Sequence, residues 1–260
     1  MSPAQPPTSA APAPRRGRMA LVLWALGLPG VAALLASLWQ PLQQGAGLLP
    51  VPVWVVLASS GVQTTALLAL AAWLGARLGP DVGLRSPLVA AWVQGTPLHG
   101  AWRAPLRAGV AGGVGAALWL VLLAAWAPAP LAQDAAAQAV PLSVRLLYGG
   151  ITEEILLRWG LMTLLVWLGW RWLQRRRSAP AGWVLGLAIV LSALAFAAGH
   201  LPAAHALAGG LSLPVVAYVL LGNAVFGLLA GALYARWGLE SAMLAHALAH
   251  LLAGGVAALR

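Results

Sequence analysis

The sequence predicts an all-α, polytopic bundle of about seven membrane-spanning helices, with six or eight fitting the same pattern. Three observations carry this. Hydrophobic residues are 61% of the 260, charged residues are 8%, and mean hydropathy is +0.85, whereas a soluble domain has roughly 25% charged residues. The apolar residues fall into runs close to the roughly 20 needed to cross a bilayer. The 15 basic residues are all arginine and cluster in the breaks between runs, where they act as topology determinants.

Residues 1–18 are rich in Pro, Ala and Ser and end in Arg15-Arg16-Gly17-Arg18, a composition that predicts a disordered basic tail. The apolar run at about 20–39 exceeds the roughly 7–15 residues of a signal-peptide core, so it is a first span. A second covers about 51–74. Between 77 and 107 the chain mixes Arg85, His99, Arg103 and several prolines, the mark of a surface segment, amphipathic or re-entrant. A third span follows at about 108–126, then a Pro/Ala/Gln loop with Asp134. The fourth, about 146–170, ends in Arg171 and Arg175-Arg176-Arg177. The fifth, sixth and seventh fall near 183–199, 213–235 and 239–258. Residues 19–260 thus form one transmembrane domain. Small residues at Gly112, Gly113 and Gly115, and at Gly227 and Gly231, would let helices approach closely.

With these spans the arginine clusters fall on one side, Arg145 and Arg260 excepted. That side is expected to be cytoplasmic, with the N-terminus inside. The net charge of +10 and pI of 11.8 therefore imply no nucleic-acid partner. Cysteine is absent, which excludes disulfides, thiol catalysis and thiolate metal sites. The all-arginine basic set, the Ala/Leu/Trp/Gly bias and the short loops point to a bacterial cytoplasmic (inner) membrane.

Glu153 and Glu154 stand side by side inside the fourth span, though only five residues in the chain are acidic. A carboxylate near the bilayer centre costs several kcal/mol unless it is protonated, paired or wetted. Glu154 and Arg158 are four apart, acid before base, the favourable order for an ion pair on one helix face. Glu153, rotated by about 100°, has no such local partner and is a candidate for chemistry. The other polar groups within spans are His200, Asn223, His246 and His250. His246 and His250 share one face of the last span, and Leu201-Pro202 closes the fifth span after His200.

Glu153-Glu154-x-x-x-Arg158, Phe196-x-x-x-His200 and His246-x-x-x-His250, in this order and each on its own apolar span, resemble the motifs of the CAAX prenyl endopeptidase and bacteriocin-processing (CPBP, or ABI) family of intramembrane glutamate proteases. The resemblance covers about 144–252. The family usually has Asn at the last motif position, where this chain has His250. The resemblance implies peptide-bond hydrolysis within the membrane. Glu153 would be the general base that activates water, and His200 would orient the water or the glutamate. His246 and His250 would stabilise the oxyanion, with Glu154 and Arg158 a supporting pair. No cofactor is implied; the partners would be the lipid bilayer and a peptide or membrane-protein substrate.

Other functions fit the same residues. His200, His246 and His250 offer three imidazoles to Zn²⁺, with Glu153 polarising bound water, although no His-Glu-x-x-His helix is present. Membrane Glu and His also form relays in proton-coupled transporters, and a non-catalytic bacteriocin-immunity factor or scaffold is a third class. The arginine pattern places Glu153 and His200 nearer the external half, whereas a CAAX-type protease would meet its substrate from the cytoplasm.

Overall fold

The computed structural model describes residues 16–132, 140–176 and 179–259. Among these no strand occurs. The first helix, α1 (Arg16–Gln44), continues through Pro29 and Pro41. It takes in Arg16, Gly17 and Arg18, three residues before the compositional break. Arginine is a good helix former, and Arg16 reaches Asp81 at 3.5 Å. The predicted disorder of residues 1–15 lies outside the described residues.

The segment between 77 and 107 contributes more helix than its composition suggests. Helix α2 (Val53–Val82) carries Arg77 and Pro80 and stops only at Gly83, whose φ of 77° is the left-handed cap that glycine adopts freely. A short α3 (Pro87–Gln94) follows, and α4 (Arg103–Ala124) starts five residues before the expected apolar run. Arginines at helix ends account for both extensions, since their long side chains reach the interface while the backbone stays helical.

After a single turn at Ala129–Ala132, the glutamate-bearing span is one continuous helix, α5 (144–173), unusually wound. It has π turns over Val144–Glu153, Ile155–Met162 and Gly169–Leu173, with ordinary α-helix at Thr163–Leu168. Helices α6 (Gly182–Gly199), α7 (Leu201–Ala208), α8 (Leu213–Trp237) and α9 (Leu239–Ala258) complete the chain. Among the described residues six helical stretches are long and apolar enough to cross a membrane, α6 and α7 counting as one. Helix α5, with its buried charges, is a further long helix. The protein is an all-α polytopic bundle.

Helix α5 is the centre of that bundle. It packs on α1 and α2 along one side and on α6 and α9 along the other. Its residues Thr152, Ile155, Trp159, Met162 and Val166 are buried. Two hydrogen bonds pin it to the N-terminal helices: Thr152 Oγ1 donates to the Gly27 carbonyl at 2.7 Å, and Trp159 Nε1 donates to the Ala72 carbonyl at 3.1 Å. The outer faces carry exposed leucines such as Leu118, Leu122, Leu187 and Leu194, which face lipid at no hydrophobic cost.

Close approach sets the remaining seams. A Cβ on Gly113 would stand 2.7 Å from Leu248 Cβ on α9, and one on Gly227 would stand 2.8 Å from Ala193 on α6. At the start of α9 the contact is polar. Glu240 Oε1 accepts from Ser86 Oγ at 2.6 Å and from the Leu88 and Val89 backbone N–H groups at 2.8 and 3.0 Å. It caps the N-terminus of α3, where negative charge is favourable. The Leu239 N–H also donates to the Arg85 carbonyl at 3.0 Å. This clamp fixes the height of α9, the helix that carries two of the candidate site histidines.

Candidate functional site

Glu154 lies at the centre of a buried polar cluster. Its side chain is fully buried, and so is that of Arg158 one turn on. Arg158 Nε stands 3.3 Å from Glu154 Oε2, an ion pair that lacks hydrogen-bond alignment. The guanidinium is supported instead by the Gly227 carbonyl, which accepts from Nη2 at 3.4 Å, and by the faces of Phe196 and Phe226, 4.6 and 5.8 Å from its centre. Cation–π contacts of this kind gain strength away from water.

The other carboxylate oxygen of Glu154 reaches across the bundle. His246 Nδ1 donates to Glu154 Oε1 at 2.8 Å, joining α5 to α9. A carboxylate accepts only, so the Nδ1 proton is fixed. His246 Nε2 is then a lone pair in the neutral ring and an N–H in the imidazolium. The ring is held by Phe226 at 4.4 Å and by Phe196 at 5.9 Å between centroids. Glu154 therefore does two jobs, balancing Arg158 and orienting His246.

His200 ends α6 and is half-buried. Its Nδ1 donates to the Phe196 carbonyl at 2.8 Å, and its ring packs edge-on against Phe196 at 4.7 Å. The carbonyl cannot donate, so the neutral His200 offers a lone pair at Nε2. His250 lies one turn beyond His246, with ring centroids 5.0 Å apart. The two Nε2 atoms converge on α5: a Cβ on Gly149 would stand 3.3 Å from Nε2 of His246 and 3.6 Å from Nε2 of His250. Gly149 has no side chain to crowd these two nitrogens.

His200, His246 and His250 line one cavity of about 160 Å³ together with Phe196, Phe226, Asn223 and aliphatic residues of α4. Glu153 does not line it. Its side chain is half-buried and makes no hydrogen bond or ion pair among the described residues.

The structure thus brings Glu154, Arg158 and His246 into contact, sets His200 and His250 around the same cavity as His246, and leaves Glu153 out of its lining. Sequence pattern had marked Asn223 as polar but given it no part; its Nδ2 donates to the Val219 carbonyl at 2.9 Å within the cavity wall. Phe226 and Gly149 carry no signal that could single them out from apolar neighbours. For zinc, two of the six imidazole nitrogens are committed to Glu154 and Phe196. Among the described residues no group of three His, Asp or Glu is arranged to hold a metal ion.

No curated protein and no solved structure matches the chain. The family model described as type II CAAX prenyl endopeptidase, Rce1-like, matches residues 135–252. That stretch runs from just before α5 into α9 and contains every residue of the cluster just described. Over that stretch, a little under half of the chain, the sequence matches the Rce1-like, CAAX-protease family of membrane proteins.

Proposed function

We propose that this protein is an intramembrane endopeptidase that hydrolyses a peptide bond of a membrane-associated peptide or protein. The observation that supports it best is that His246 Nε2 and His250 Nε2 lie close together beside Gly149, on histidines that line one cavity with His200. Two donors lying close together suit the oxyanion of a tetrahedral intermediate, where each typically supplies about 3–4 kcal/mol. His246 serves as such a donor in its imidazolium form, in which Nε2 carries a proton while Nδ1 donates to Glu154.

In this mechanism Glu153 takes a proton from water whose oxygen attacks the scissile carbonyl carbon, while His200 Nε2 orients that water by accepting its second hydrogen. Charge builds on the carbonyl oxygen between His246 and His250. The C–N bond then breaks, and Glu153 returns the proton to the departing amine. Glu154 and Arg158 act through His246. We place the protein in a bacterial cytoplasmic membrane with its N-terminus inside.

The test is cleavage of a peptide library by purified protein in liposomes. Glu153→Gln should remain folded and lose activity by about 10²–10⁴, the usual contribution of a general base. Full activity in Glu153→Gln beside a folded but dead Glu154→Gln would move the base to Glu154.

A further inference from the structure

Arg145 is a cation that the hydrolytic chemistry leaves unused. It sits at the start of α5, and its Nε is sealed from solvent without a hydrogen-bond partner among the described residues. Its Nη1 lies 3.4 Å from where a Cβ on Gly254 of α9 would stand, so the side chain crosses from α5 onto α9. There it is close enough to His250 for their charges to interact, and His250 lines the cavity. None of the described acids neutralises it. Asp81 holds Arg16, Glu154 holds Arg158 and His246, Glu240 caps α3, and Glu153 makes no ion pair. Charged groups in or beside hydrocarbon are otherwise paired, so a guanidinium that no described acid pairs, reaching α9 one turn beyond the cavity-lining His250, is suited to an anion from outside the chain.

We propose that Arg145 is a carboxylate subsite, which selects peptides presenting a carboxylate next to the bond to be cleaved. A guanidinium binds a carboxylate through two parallel hydrogen bonds, a geometry that lysine cannot reproduce. The carboxylate could be a chain terminus or an Asp or Glu side chain; the chemistry is shared. This inference rests on the protease reading for its purpose, but its binding claim stands apart from catalysis.

The probes are matched membrane peptides ending in a free acid or an amide, with and without an internal Glu. Their cleavage is followed by mass spectrometry, and their binding to Glu153→Gln protein by fluorescence. Free-acid probes should bind and be cleaved about tenfold better than amides, the size of one charge-assisted contact. Arg145→Gln should remove that preference by raising KM for acids while leaving amide cleavage unchanged, and Arg145→Lys should restore part of it. A preference that follows the internal Glu and vanishes in Arg145→Gln assigns the side-chain source. Equal binding of acid, amide and Glu-bearing probes to the protein overturns the proposal, and needs no variant to fold. Loss of all probes to the same degree in Arg145→Gln overturns it too, as does binding relieved only by anionic phospholipid. If nothing is cleaved but acids bind preferentially, the protease reading fails while the subsite stands.

Discussion

At the scale of single residues, the two glutamates are separated by what they touch. Glu154 is enclosed by Arg158 and His246, so Glu154→Gln should lower thermal stability in detergent. Removing one member of a buried ion pair costs about 3–5 kcal/mol because the other charge is stranded. A Glu154→Gln protein that melts like the parent would show that Arg158 does not depend on it. His250 separates two chemistries. If it donates to an oxyanion, His250→Asn keeps most activity, since a side-chain amide donates as well, and chelators have no effect. If it ligates zinc, Asn abolishes metal binding, and bound zinc should then be measurable in the parent. We expect the first outcome. Much of this cluster was legible in the sequence. The Glu154–Arg158 pair follows from helical spacing, and the three histidines stand out because polar groups at membrane depth are costly. That His246 belongs to Glu154 was not legible, because their meeting depends on how α5 and α9 pack across 92 residues of chain.

Among the elements, α9 is placed by glycine contacts along its length and by the Glu240 clamp at its start. Sequence pattern treated Gly112, Gly113 and Gly115 alike, whereas the structure divides them. A Cβ at Gly113 would press on Leu248 Cβ at 2.7 Å and the Ala245 carbonyl at 3.2 Å, while at Gly115 it would meet nothing within 4 Å. Gly113→Ala should therefore destabilise by about 1–3 kcal/mol through overpacking. Gly115→Ala should be neutral or gain up to about 1 kcal/mol from helix propensity. Equal melting temperatures for the two variants would contradict this seam. For the clamp, one oxygen of Glu240 takes all three hydrogen bonds and the other has no partner. Glu240→Gln preserves that acceptor and should cost little. Glu240→Ala leaves Ser86 and two backbone N–H groups unsatisfied and should cost at least about 2 kcal/mol. The clamp was invisible in sequence, since a glutamate at a helix start reads as an ordinary dipole partner. If Gln proves as damaging as Ala, the charge and not the acceptor geometry is what holds α9.

For the whole molecule, the open variable is which side of the membrane the cavity faces, and the chain is unusually well suited to answering it. It contains no cysteine, so a single introduced thiol reports its own location without background. The helices alternate in direction along the chain. The turn near Leu48, the end of α4 at Trp126 and the α7–α8 turn at Leu211 should therefore share one side, and Gln94 should lie on the other. Leu48, Trp126 and Leu211 are 92%, 82% and 43% exposed, and Gln94 is exposed as well. The arginine clusters near 16–18, 77–107, 171–176 and 236 share the Gln94 side, which we propose to be cytoplasmic on the positive-inside bias. A membrane-impermeant maleimide on intact cells should thus label Leu48→Cys and Leu211→Cys, and reach Gln94→Cys only after lysis. His200 lies at the α6–α7 junction, on the Leu211 side, so this pattern would have substrate enter from outside the cell. The opposite pattern would invert the bundle, set the arginine bias aside, and open the cavity to the cytoplasm. Labelling of Leu48→Cys and Gln94→Cys from the same side would remove the alternation itself, and with it α2 as a complete span.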